Sequence, residues 1–136
     1  MDVNERVVEF MKKAGAFFYA TSVDGKAKVR PFGFCAYING KAYFGMGKHK
    51  RSYQETVDNP YVEICALAGD EWLRVSGKAV FDWDPATEEQ IFAEAPFLRD
   101  KYGPESELTH AALYLEDMKC EYMNFGMPDN TFEYWT

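Results

Sequence analysis

The chain has 136 residues and a formal net charge of -7, with 15 lysines and arginines against 22 aspartates and glutamates. This length fits one domain of ordinary size, so we expect residues 1–136 to form a single domain. The content of 47% hydrophobic and 17% aromatic residues excludes a disordered or low-complexity chain. The acidic balance argues against a general nucleic-acid binder.

The positive charge is concentrated in one stretch of the chain. Residues 24–52 hold seven basic residues and one acid, a local net charge of +6, whereas the remainder holds 8 basic and 21 acidic residues, or -13. A positive stretch on an acidic protein predicts a place where an anion binds.

Several features bear on the compartment and on metals. No apolar run approaches the roughly 20 residues of a membrane span, and the N-terminal sequence does not resemble a signal peptide. We expect Cys35, Cys65 and Cys120 to be buried thiols, because they are odd in number and form no Cys-x-x-Cys pair. His49 and His110 are remote from the cysteines in sequence, so no metal site is expected. These features favour a cytoplasmic protein.

Apolar periodicity and turn dipeptides divide the chain into short elements. Asp24-Gly25 and Asn39-Gly40 predict hairpin turns, and Asp84-Pro85 predicts a helix start. The mixed polarity of residues 96–110 predicts little regular structure there. The predicted elements are a helix over 4–14, strands over 16–22, 28–38 and 41–45, a short helix after 52, strands over 61–68 and 72–82, a helix over 85–95, and two strands or one interrupted strand over 111–115 and 118–125.

Lys48, Lys50 and Arg51 directly precede the predicted second helix, for which Ser52 is the expected N-cap. Free backbone N–H groups and the helix dipole make such a place suitable for a phosphate, and an arginine can grip two phosphate oxygens at once. The alternative is a basic loop that faces solvent.

The segment Arg30-Pro31-Phe32 is the second candidate binding element. Proline removes a hydrogen-bond donor from its strand, and Gly33 allows another group to approach the backbone closely. This suits a flat ligand lying against the main chain beside Arg30. The alternative is an edge strand in which Pro31 blocks unwanted pairing.

The sequence contains neither a glycine-rich phosphate loop nor a serine nucleophile elbow. An enzyme of this sequence would therefore depend on a bound cofactor for its chemistry. Trp72 lies on the less apolar face of its strand and is a candidate for an interface or cofactor contact. The roles of His49 and of Tyr134-Trp135 stay open.

The order and spacing of several segments resemble the pyridoxamine 5′-phosphate oxidase-like FMN-binding split-barrel family, most closely its short clostridial-type members, a branch that includes nitroimidazole-resistance-type flavoproteins. The segments are the first helix, Arg30-Pro31-Phe32, Ala42-Tyr43-Phe44-Gly45, the basic loop, Asn59-Pro60-Tyr61-Val62 and the strand Trp72–Ala79. The resemblance covers residues 1 to about 125. It implies a mainly β fold, an antiparallel split barrel, and the predicted elements above amount to about six or seven strands with a few inserted helices. It also implies a homodimer with two flavin mononucleotide (FMN) sites between the subunits.

The resemblance further implies which residues bind FMN. In chain order they are Arg30, Pro31 and Phe32 along the flavin ring and ribityl chain, Phe44, Gly45 and Met46 at the flavin and ribityl phosphate, Lys48, Lys50 and Arg51 at the phosphate, and Trp72 reaching the flavin of the other subunit.

Two departures separate this chain from true pyridoxamine 5′-phosphate oxidases. Ser52 follows Arg51 where those enzymes have lysine, and the segment Glu133–Thr136 lacks their substrate-binding arginines. The sequence therefore predicts an FMN-dependent oxidoreductase on an unidentified small molecule, with unassigned catalytic residues and electron donor.

Two alternative functions stay open at this point. One is a non-catalytic barrel that binds haem, a deazaflavin or another anionic ligand. The other is single-stranded nucleic-acid binding through aromatic residues interleaved with basic ones, which the surrounding charge of -13 disfavours.

Overall fold

The structure is a computed structural model that describes residues 1–129 and 131–136. In these residues it contains eight strands and four helices. In chain order they are α1 (Val3–Ala14), β1 (Phe17–Val23), β2 (Lys26–Phe32), β3 (Cys35–Ile38), β4 (Lys41–Gly47), α2 (Arg51–Asp58), β5 (Tyr61–Ala68), β6 (Glu71–Asp82), α3 (Pro85–Glu94), α4 (Pro96–Tyr102), β7 (His110–Asn124) and β8 (Glu133–Trp135).

All strands belong to one antiparallel sheet with the order β2-β1-β5-β6-β7-β4-β3, and β8 pairs with β7. β7 pairs with β6 along most of its length, while its first residues also pair with β4 and a later part pairs with β8. The sheet curls back on itself. This brings Phe17 of β1 and Phe44 of β4 together edge to face, with ring centroids 5.7 Å apart. The predicted mainly β, antiparallel class is confirmed.

The core lies inside this curled sheet, and α1 packs against it. The Asp2 side chain accepts a hydrogen bond from the backbone N–H of Glu5 at the start of α1. Val7 and Met11, four residues apart, are fully buried in the main core. A second cluster joins α3 and α4 to strands β3 and β4, so α4 is held against one end of the sheet.

The strand count differs from the expected six or seven for two reasons. The predicted strand over 28–38 is interrupted at Gly33-Phe34, because β2 pairs with β1 whereas β3 pairs with β4. The segment Glu133–Trp135 adds β8. By contrast, β7 is continuous, with a register shift where Asp117 takes a positive φ of 54°.

Three further expectations are wrong. Residues 96–102 form helix α4, in which Pro96 occupies the first turn and Leu98 and Tyr102 are buried. Helix α2 has Lys50 as its N-cap, without a side-chain cap, and Ser52 is a buried residue of its first turn. Cys65 is exposed because it lies on the outer face of β5, whereas Cys35 and Cys120 are buried as predicted.

None of the described helices combines the length and apolar character that a bilayer span requires. Within the described part of the chain, no group of three or more histidine, cysteine or acidic side chains is arranged to hold a metal ion.

Candidate functional site

A cleft of about 500 Å³ opens where β2, the end of β4, the start of α2 and helix α4 come together. Its volume lies in the range of small-molecule sites. Its lining residues are Arg30, Pro31, Phe32, Gly33, Phe34, Gly45, Met46, Gly47, Lys50, Ser52, Phe97, Leu98, Lys101, Tyr102 and His110. Within the described residues no carboxylate lines this cleft, so its charge is positive.

Arg30 on β2 is held by partners inside its own subunit. Its guanidinium donates to the Glu55 carboxylate of α2, to Thr21 Oγ1 at 2.9 Å and to the Tyr19 carbonyl at 3.3 Å. The Thr21 hydroxyl and Arg30 together hold the pKa of Glu55 below its ordinary value. The ion pair fastens α2 to β2 and neutralises much of the Arg30 charge, which leaves lysines as the net positive groups of the cleft.

Two glycines of β4 leave space that aromatic rings occupy. A Cβ on Gly45 would lie 2.3 Å from His110 Cε1 and Nε2, and a Cβ on Gly47 would lie 2.5 Å from His49 Cε1 and 2.8 Å from the Tyr102 hydroxyl. These distances are shorter than real Cβ contacts, so a side chain at either position would displace a ring. The absence of a side chain at Gly45 and Gly47 therefore allows His110, His49 and Tyr102 to pack close to the backbone at these two positions.

His110 is an almost completely buried imidazole at the cleft, with 5% of its surface exposed. Phe34 meets it edge to face, with ring centroids 5.8 Å apart, and Tyr102 lies 5.2 Å away. Burial lowers the pKa of His110 to about 4 because it disfavours the charged form. The imidazole is therefore neutral at neutral pH.

The start of α2 lies at one end of the cleft. The Lys50 N–H donates to the Gly47 carbonyl at 3.0 Å, which closes a turn between β4 and α2. Lys50 and Ser52 both line the cleft. The first N–H groups of a helix lack intrahelical acceptors and carry the positive end of the dipole, so this end of the cleft suits an anion.

Six of the ten sequence-predicted residues line the cleft together: Arg30, Pro31, Phe32, Gly45, Met46 and Lys50. The other four are not among its lining residues. Phe44 is fully buried in the core, and Arg51 is exposed at the first position of α2. Lys48 is exposed with its Nζ 5.3 Å from the Trp83 ring centroid, and Trp72 lies on the outer face of β6 beside Phe132.

Comparison with known proteins identifies the family. Residues 3–112 match the family model described as pyridoxamine 5′-phosphate oxidase. The chain belongs to this family. The match confirms the resemblance drawn from the sequence. A search of curated proteins returned no match.

Solved structures of several other proteins share the fold of this chain. A NimC/NimA family protein from Clostridium acetobutylicum is 26% identical, with a TM-score of 0.87 over 97% of this chain and 91% of that one. A pyridoxamine 5′-phosphate oxidase-related, FMN-binding protein from Nostoc punctiforme is 12% identical, with a TM-score of 0.66 over 97% and 94%. A heme-binding protein from Mycobacterium smegmatis is 12% identical, with a TM-score of 0.72 over 100% of this chain and 58% of that one.

Sequence reasoning missed one wall of the cleft in this family member. Phe97, Leu98, Lys101 and Tyr102 all come from α4, and a proline followed by apolar residues at helical spacing was an available signal. His110 gave no local signal, because it reaches the cleft only through the pairing of β7 with β4.

The buried neutral His110 makes stability depend on pH. The unfolded chain takes up a proton near pH 6.5, whereas the folded chain does so only near pH 4, so the free energy of unfolding falls as the pH drops through that interval. From about pH 7.5 to about pH 5, we expect the wild type to lose about 2 kcal/mol more than His110→Gln does. Urea denaturation at both pH values measures the difference. Equal losses in the two proteins would contradict a buried neutral imidazole.

Proposed function

We propose that the chain binds FMN in this cleft and acts as an FMN-dependent oxidoreductase on a small molecule. The observation that carries the proposal is a cleft of about 500 Å³ with lysines, a free helix start and aromatic walls, in a member of this family. When bound, FMN would supply the electron transfer, for which protein side chains have no equivalent.

The lining residues fit such a group. Lys50 and the first N–H groups of α2 would hold the phosphate, with Arg51 beside them at the same helix start. Pro31, Phe32 and Met46 offer apolar surface to a flavin ring. Arg30, which is engaged by Glu55, would orient its strand and offer its remaining N–H groups to the ligand.

The outer face of the sheet supports a homodimer. Apolar side chains stand exposed there, with Val29 at 66%, Phe18 at 49% and Leu67 at 56%. Leu67 pairs with Trp72 in the β5–β6 register. Exposed apolar patches of this kind mark protein interfaces. We propose that two copies associate through this face, and that Trp72 contributes there rather than to the cleft of its own subunit.

The phosphate assignment predicts a selective loss of FMN affinity. Lys50→Ala and Arg51→Ala should each weaken FMN binding roughly tenfold or more, because each removes a charge-assisted hydrogen bond. Quenching of flavin fluorescence during titration measures the affinity. Lys26→Ala is the matched control, because Lys26 lies on β2 four residues from Arg30, about 13 Å away along the strand. An equal effect of all three substitutions would show that the phosphate lies elsewhere.

The proposed interface predicts a change in mass. Leu67→Glu should convert a dimer into a monomer, because it places a charge in an apolar contact, and sedimentation velocity gives the mass. The control is Val57→Glu on α2, where Val57 is 49% exposed. A wild-type monomer, or a dimer unaffected by Leu67→Glu, would refute the interface.

A further inference from the structure

The proposed FMN contacts leave one part of the cleft without a role. Lys50 and the start of α2 account for the phosphate, whereas Lys101 and Tyr102 come from α4 and His110 comes from β7. These side chains form the wall that sequence reasoning missed. Their chemistry is different from that of a phosphate site, because they combine one ammonium, one neutral imidazole and several rings.

The imidazole of His110 is the feature that points to a ligand. It is 95% buried, since 5% of its surface is exposed, and burial is the one cause acting on its pKa, with no hydrogen bond from a described residue contributing. Every fully enclosed side-chain nitrogen or oxygen of the described residues has a hydrogen-bond partner. The His110 nitrogens therefore reach the cleft, where a ligand atom can complete their hydrogen bonding.

The surrounding rings restrict the shape of that ligand. Phe34 stands at 83° to the imidazole and Tyr102 at 47°, so the two rings fix its orientation from different directions. Phe97 lines the same cleft and is 63% exposed, which leaves its ring free to cover a ligand. Aromatic walls at such angles favour a flat ligand held by edge and face contacts.

Charge restricts the ligand further. Lys101 Nζ lies 5.4 Å from the Tyr102 ring centroid and lines the cleft, and within the described residues no carboxylate lines the cleft to neutralise it. A neutral imidazole donates one N–H without adding charge. One ammonium and one imidazole N–H match the two oxygens of a carboxylate.

We propose that Lys101 and His110, framed by Phe34, Phe97 and Tyr102, form a second subsite of the cleft that binds a small planar carboxylate as the substrate. This inference rests on the proposed function, because FMN fills the rest of the cleft and limits the subsite to a molecule of about one ring. Lys101 pairs with the carboxylate, and His110 donates to one of its oxygens and orients it.

Benzoate is the probe for this subsite, and benzamide is its uncharged analogue. FMN-loaded protein is titrated with each, and the shift of the flavin absorption band gives the dissociation constant. Benzoate should bind roughly tenfold or more tightly than benzamide, because benzamide makes no ion pair with Lys101. Inorganic phosphate, an anion without a ring, should compete poorly with benzoate.

Substitutions of Lys101 and His110 test whether each side chain contacts benzoate. Lys101→Met should weaken benzoate binding roughly tenfold or more and His110→Phe several-fold, each measured on protein saturated with FMN. Arg99→Met is the matched control on the same helix, because Arg99 pairs with Glu89 and does not line the cleft. If His110→Phe fails to fold, Lys101→Met decides alone, because Lys101 is exposed.

The outcomes separate the two levels of the proposal. Failure of the wild type to bind FMN would overturn the proposed function itself. FMN binding without benzoate binding would overturn the subsite alone, as would equal affinities for benzoate and benzamide. The subsite would also be overturned by equal benzoate affinities in Lys101→Met and Arg99→Met, or by phosphate competing as well as benzoate.

Discussion

The pairing of β7 with β4 is the constraint on which the cleft depends. It sets His110 opposite Gly47 and Ala112 opposite Gly45, and it joins the β3–β4 edge to the rest of the sheet. Two glycines on one strand then leave room for His110 and Tyr102 to pack over the backbone. A side chain at either glycine would displace a ring that shapes the cleft. The position of His110 in the cleft follows from this pairing, whereas α4 brings Tyr102.

Fewer basic residues contribute net charge to the cleft than the basic stretch 24–52 suggests. The +6 stretch is dispersed by folding, because Lys41 lies over the Tyr114 ring at 4.2 Å and Lys48 lies near Trp83. Arg30 is paired with Glu55. Within the described residues, Lys50 and Lys101 supply the net positive charge of the cleft, and Lys101 lies outside the basic stretch. Of the two, Lys50 belongs to the anion site predicted from charge clustering, whereas Lys101 adds positive charge to the cleft from α4.

Local chemistry made most elements predictable. Asp84 caps α3 as expected, and Asp24-Gly25 and Asn39-Gly40 form the predicted turns with positive φ. The break at Gly33-Phe34 was missed, since only the pairing of β2 and β3 with different strands reveals it. His110 was missed for a similar reason, because its place in the cleft is set by pairing between residues more than 60 positions apart.

The absorption spectrum of the purified protein with added FMN shows most directly whether this cleft holds FMN. After removal of free ligand, we expect a retained flavin spectrum at one FMN per chain. We also expect a thermal unfolding midpoint that rises with FMN concentration, because the ligand binds the folded state. A colourless protein with an unchanged midpoint would rule out FMN in this cleft, as would a haem spectrum in place of a flavin spectrum.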